Sequence, residues 1–390
     1  MKRFQLVCVM IVFIVGIASG LGMFISVPIL RFASLTSVLR AKFVSCEQAQ
    51  MVGVYEGSPQ QRCFNKQLVS MVKAYGISST ITALRSYMKT PNGSHLQGMR
   101  CHAMAHEIGN AAARFGTPSD VLMTQCIGLC DFGQGTRPVE GIDLGCMNGA
   151  GHTWVLMNPD VGDAFGKCAV PSIPDSVRQG CYHGIGHGLS ERYGVDFVSA
   201  VNQCLELPNK DARYQCSHAI FMEPRLGTQS EKSIDLVSYC ESLPPEVRAS
   251  CFEFAGFMRY TNTLDVDVGL DICEKVPQDL QSPCRNRVGE ALYAIHNSVT
   301  DVLKCGQASN QRSDDCISGF VRTIIDDVND TQGDLALSSC DLVSESQKLR
   351  CYQKVGETLN SRYGNAIRNA ACHRITVVPY RNVCLKAFAP

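Results

Sequence analysis

The sequence predicts an all-α protein, built of disulfide-stapled helical hairpins stacked as a solenoid behind one N-terminal transmembrane helix. Three observations carry this. The chain holds 21 cysteines, of which 20 lie between Cys46 and Cys384 with no CxxC spacing anywhere, so they read as bridges rather than metal clusters. They fall in close pairs, and the second member of each pair, from Cys146 on, recurs after 35, 35, 35, 33, 32, 35 and 33 residues. A period near 34 is the mark of repeated supersecondary units. The third observation is a pair of gapless copies: Cys181–Gly194 (CYHGIGHGLSERYG) and Cys351–Gly364 (CYQKVGETLNSRYG) share Cys, Tyr, Gly, Leu and the closing Arg-Tyr-Gly.

Taken from the N-terminus, Lys2 and Arg3 precede an uncharged run, Phe4–Leu30, long enough to cross a ~30 Å hydrocarbon core as a helix. It reads as an uncleaved signal-anchor over residues 1–30; a cleaved signal peptide is the competing reading, disfavoured by the length of the run and the lack of an A-x-A site. Residues 31–45 read as a juxtamembrane linker, and 46–390 as the cysteine-rich repeat domain. The disulfides place that domain outside the cytoplasm.

Within the domain each unit reads as helix, loop, helix. The first helix ends at its Cys, as at Ile234–Cys240 and Val266–Cys273, and a proline follows three or four residues later (Pro171, Pro208, Pro244, Pro277). The second helix starts beside the second Cys; Ser282-Pro283-Cys284 suggests a Ser cap with Pro at the first helical position. Glycine five residues after that Cys (Gly151, Gly186, Gly256, Gly289, Gly356) predicts close approach by a neighbouring helix, and Gly76, Gly194 and Gly364 predict left-handed helix ends. One local bridge per hairpin follows for 168/181, 204/216, 240/251, 273/284, 305/316, 340/351 and 372/384. Cys46 and Cys63 bracket a loop in the same style. Cys101, Cys126, Cys130 and Cys146 stay unassigned, and residues 77–145 read as an insertion.

Lys and Arg number 36, as do Asp and Glu, but the first 45 residues hold five bases and no acid, so the remainder carries a net charge of −5. A mildly acidic domain without a basic stripe excludes nucleic acid as a partner class. The membrane, through the N-terminal helix, and an unidentified protein or small molecule remain as partners.

Six of the nine histidines fall at second-helix starts: His102 and His106 in CHAMAHEIG, His152 in CMNGAGH, His183 and His187 in CYHGIGH, and His218 in CSHAIFME. His102/His106 and His183/His187 are i, i+4 pairs, which share one helix face as metal ligands must. Four consecutive units carry them and later units do not: His183 and His187 correspond to Gln353 and Glu357. Imidazole suits zinc first, then copper or iron, and disfavours calcium or magnesium. Glu107 and Glu223, beside or near these histidines, are the candidate general bases or outer partners of the ligands; Glu107 faces about 100° away from His106. No HExxH, CxxCH, nucleophile elbow, Walker loop or dinucleotide fingerprint occurs.

The segments Cys101–Gly109 (CHxxxHxxG) and Cys181–Gly188 (CYHGIGHG) resemble a group of exported bacterial proteins of uncharacterised function, closely over Cys101–Glu223 and loosely beyond. That resemblance implies no activity. The layout is similar to tetratricopeptide or Sel1-like repeats, although the Trp-Leu-Gly signature of the former is absent. The expectation is therefore a membrane-anchored protein that binds a transition metal outside the cytoplasm through a His-rich site within 101–223, with catalysis as an open extension. The alternative is a disulfide-stabilised interaction scaffold whose histidines are structural.

Overall fold

A computed structural model describes residues 35–46, 59–90, 92–93, 99–127, 145–171, 174–223, 234–308, 310–327, 330 and 332–386. The candidate anchor, Phe4–Leu30, lies outside them, and among the described residues no helix is long and apolar enough to cross a membrane. The described residues form helices and no strands.

Helices alternate between two layers. The outer layer holds α1 (35–46), α3 (Ile77–Met88), α5 (Ser119–Cys126), α7 (Val161–Cys168), α9 (Phe197–Leu205), α11 (Leu236–Ser242), α13 (Val266–Cys273), α15 (Val302–Gly306), α17 (Asp334–Leu342) and α19 (Asn365–His373). The inner layer holds α2 (Pro59–Tyr75), α4 (Met99–Arg114), α6 (Gly145–Met157), α8 (Asp175–Tyr193), α10 (Lys210–Phe221), α12 (Pro245–Thr263), α14 (Gln278–His296), α16 (Asn310–Asp327), α18 (Glu345–Tyr363) and α20 (Val378–Lys386). Each inner helix packs on the next, and the layer curls until α16 touches α4. The outer helices lie mainly against inner ones.

Local chemistry explains the hairpins. An aspartate caps four outer helices, Asp160, Asp196, Asp235 and Asp265 each accepting from a backbone N–H in the first turn. Inner helices α8, α12 and α14 begin immediately after Pro174, Pro244 and Pro277, whose extended backbone (ψ 142°, 147° and 140°) sets the entry. Helix α14 therefore starts at Gln278, earlier than the expected Ser282-Pro283 start, and Pro283 sits inside it at the expense of one helical hydrogen bond. Arg178, Arg213 and Arg248, each three residues before the second Cys, donate to the loop carbonyls of Val170, Leu207 and Leu243 at 3.3, 3.0 and 3.1 Å. Gln281 does the same for Val276 at 3.4 Å. These bonds satisfy carbonyls that the outer helix leaves open at its end.

All seven expected hairpin bridges are present, together with Cys46–Cys63 and Cys126–Cys146, with Cα–Cα separations of 5.5 to 5.6 Å. Cys101 is also disulfide-bonded; Cys130 lies outside the described residues. Three expectations need correction. Residues 77–145 are no insertion: α3/α4 and α5/α6 are further hairpins, hidden because α3 contains no cysteine and the 127–145 connection is long. Of the stretch 31–45 read as linker, residues 35–45 lie in the helix 35–46, with Leu39, Phe43 and Cys46 buried because these apolar positions recur on one face. Gly76, Gly194 and Gly364 have φ of 77°, 56° and 83°, but their ψ of 169°, −112° and 173° lies outside the left-handed helical region. Left-handed ends occur instead at Leu264 and Asn297, and Gly116 after α4 has φ of 77° with Thr117 N–H bonded back to the Ala112 carbonyl at 3.0 Å.

Candidate metal centre on the inner helices

The site is set by how closely the inner helices approach. A Cβ on Gly109 would lie 1.8 Å from the Cys146 carbonyl oxygen, on Gly151 2.2 Å from that of Cys181, and on Gly186 2.1 Å from that of Cys216. Facing the other way, Gly149 meets the His106 carbonyl oxygen at 1.9 Å and Gly184 that of Asn148 at 1.9 Å. Backbone thus packs on backbone across α4, α6, α8 and α10, and the side chains on the remaining free face are forced together. That face lies about 220° round the helix from the bridged Cys at 100° per residue, opposite the outer layer and so on the concave side.

The glycine contacts also fix the register. Gly109 plays the role of Gly151 and Gly186, so His106 aligns with Asn148, His183 and His218 in one row. Asn110, His152, His187 and Met222 form the next row, one turn on. His102 sits one turn before His106, against Gly145 at the start of α6. The His102/His106 pair is thus shifted by a turn relative to His183/His187.

Ring centroids of His106, His152 and His187 form a triangle with sides of 5.6, 6.5 and 6.5 Å. His183 lies 4.7 Å from His187 and 5.7 Å from His218. Among the described residues, no three His, Cys, Asp or Glu side chains are already gathered at ion-binding distance. Three imidazoles on one zinc, with Zn–N of ~2.0–2.1 Å in tetrahedral geometry, would hold their centroids about 5.3 Å apart. The triangle is therefore wider than a closed site by roughly 1 Å at most, a gap that ring rotation can close.

Outer hydrogen bonds orient the three rings. Glu191 lies 2.7 Å from His152 Nε2, and a carboxylate only accepts, so Nε2 carries the proton. His152 Nδ1 is then a bare lone pair, buried with no hydrogen-bond partner. His187 Nδ1 donates to Glu223 in the same way, which leaves its Nε2 as the bare nitrogen. Asn110 Nδ2 stands 3.2 Å from His106 Nδ1, and Thr153 Oγ1 donates to Asn110 Oδ1 at 2.8 Å. A half-turn of that amide puts its oxygen on His106 Nδ1, while Thr153 donates to the Asn110 backbone carbonyl, already at 3.4 Å. His106 Nε2 then becomes a bare nitrogen too.

Of the two acids singled out from sequence, Glu223 reaches the cluster, whereas Glu107 is half-buried about a hundred degrees round α4. Glu191 was missed; its position four after His187 was the available signal. His218 bonds Ser250 Oγ through Nδ1 at 2.8 Å and stands edge-on to Phe254 at 5.1 Å. His183 bonds the Gln215 backbone. Two of the remaining histidines do not join: His296 bonds the Tyr260 hydroxyl at 2.9 Å and His373 is exposed on α19; His95 lies outside the described residues. In later units the same face carries ion pairs instead: Arg287 with Glu253 and Glu290, Arg322 with Glu290, and Arg362 with Asp326. Gln353 and Glu357, the counterparts of His183 and His187, are half-buried there and bond each other at 2.8 Å.

Burial favours the neutral form of His106, His152, His183 and His218. It pushes the His106 and His183 pKa values well below the ordinary histidine range, reinforced for both by His187. His218 is lowered to about 4, by burial first and then by Arg287. Burial also lowers His152, against the opposing pull of Glu191. A histidine whose folded pKa is depressed binds fewer protons folded than unfolded. Its contribution is therefore complete above the unfolded value of ~6.5 and is lost as pH falls from there toward the folded value. For His218 alone the loss approaches about 3 kcal/mol near pH 4. Melting temperature should be flat from pH 8 to 7 and fall steadily below 6.5, before the carboxylates titrate. A flat profile down to pH 5 would contradict the buried neutral cluster.

Compared with known proteins, the chain matches no family model, no curated protein and no solved structure.

Proposed function

We propose that this protein binds a transition-metal ion, zinc in the first place and copper or iron as alternatives, through His106, His152 and His187. The observation that supports it most is the orphaned His152 Nδ1: a buried bare nitrogen beside two rings whose outer nitrogens are also held from behind. A carboxylate behind the imidazole is how metal-binding histidines are commonly oriented, and here Glu191 and Glu223 take that place. A bound ion would supply Lewis acidity on the concave face, and with three protein ligands it would keep a position for water or substrate. Glu223 is the acid placed for proton transfer in any catalytic extension. The bridges put the domain in an oxidising, extracytoplasmic setting. Anchoring through Phe4–Leu30 completes the proposal, as do the resemblance to exported bacterial proteins and an unidentified protein or small-molecule partner.

One observation favours the structural alternative, a scaffold whose histidines only pack: in α12, α14 and α16 the corresponding slots hold Glu253, Glu290 and Arg322, which join Arg287 in a run of ion pairs. Metal content and melting temperature of the His152→Ala/His187→Ala double variant separate the two readings. Metal binding predicts about one equivalent lost, with the apo form melting close to wild-type apo protein. The scaffold predicts no metal in either protein and a melting temperature lowered by several degrees.

A further inference from the structure

The neighbouring donors of the same face point to more than one ion. Asn148 stands in one row with His106, His183 and His218, and its backbone lies against Gly184, the residue after His183. Asn148 is 5% exposed, and its Oδ1 is buried without a hydrogen-bond donor. A buried carbonyl oxygen left unmet is destabilising unless a ligand or ion completes it. Beside it, the rings of His183 and His218 are 5.7 Å apart, close to the spacing of about 5.3 Å for two imidazoles sharing one tetrahedral ion. Each of these rings is also held from outside, His183 by the Gln215 backbone and His218 Nδ1 by Ser250 Oγ, which leaves a second nitrogen on each for a ligand. None of these donors belongs to the His106/His152/His187 triangle, and His187, 4.7 Å from His183, connects the two groups.

We propose that the histidine face takes a second divalent transition-metal ion, held by His183, His218 and Asn148 Oδ1 next to the first. This rests on the metal-binding reading above. Two imidazoles and an amide oxygen make a borderline donor set that suits zinc over a soft monovalent ion such as Cu(I).

The test is zinc stoichiometry and affinity on the full-length chain, by elemental analysis after loading and dialysis and by titration against a chromophoric chelator. Wild type is expected to hold two zinc ions per chain, and His183→Ala/His218→Ala one. Asn148→Ala should weaken one of the two affinities at least tenfold and leave the other unchanged. Should the double variant fail to fold by circular dichroism, His218→Gln and Asn148→Ala carry the test alone. One zinc in wild type, or two that persist in these variants with unchanged affinities, overturns the second site and leaves the first standing. No zinc in wild type overturns both.

Discussion

Gly149→Ala should part α4 from α6 and abolish metal binding at the His106/His152/His187 site, although it adds a single methyl group. The new Cβ would sit 1.9 Å from the His106 carbonyl oxygen and 3.0 Å from the Asn110 nitrogen, both backbone atoms that cannot swing aside. Better helix propensity offers at most about 1 kcal/mol in return. Overpacking against fixed atoms costs about 3 kcal/mol or more, so α4 and α6 must part. Parting them moves His106 away from His152, whose rings are now 5.6 Å apart. The expected result is a melting temperature lowered by roughly 3–5 °C, with zinc content reduced by at least one equivalent. Gly166→Ala is the matched control, since it lies in outer helix α7 with nothing within 4 Å of its added Cβ. That variant should be neutral or slightly more stable. Equal stability and zinc content in the two variants would refute the close-packing account.

Reduction should have the larger effect on the fold itself. Outer helices α7, α11 and α13 have 8, 7 and 8 residues, well below the length at which an isolated helix holds in water. Each is tied to its inner partner by a bridge spanning 11 to 13 residues. Closing such a loop is worth about 3 kcal/mol per bridge. With all bridges opened, the outer layer should detach and expose the apolar faces of α8, α12 and α14. Thermal scans with and without a phosphine reductant should show the cooperative transition of the oxidised protein disappear. Limited proteolysis of the reduced form should cut first within the outer helices. A reduced protein melting within a few degrees of the oxidised one would show that the bridges are dispensable.

Much of this was legible in the residues, for identifiable reasons. Covalent staples leave a period that needs no propensity argument, so the hairpins from Cys168 to Cys384 could be read directly. The same signal failed where α3 carries no cysteine and the 127–145 connection stretches the period. The i, i+4 rule gathered the histidines, because helical faces are a property of local spacing. It could not say which row His106 joins, since that depends on Gly109 pressing on Cys146 across two helices. Nor could spacing show that Glu191 and Glu223 hold their rings from behind. Those contacts join residues 39 and 36 positions apart through the stacking of neighbouring units.

The contact between α16 and α4 alters how this molecule must come apart. In an open repeat array every unit touches only its neighbours, so the ends fray independently and stability is a sum along a line. Here two units about two hundred residues apart are clasped, and the line becomes a loop. Losing any unit between them opens the clasp as well, which ties local fluctuations in α12 or α14 to the integrity of the histidine face on α4. The same clasp raises the sequence distance between touching residues, so folding has to wait for the late units before the early ones are secured.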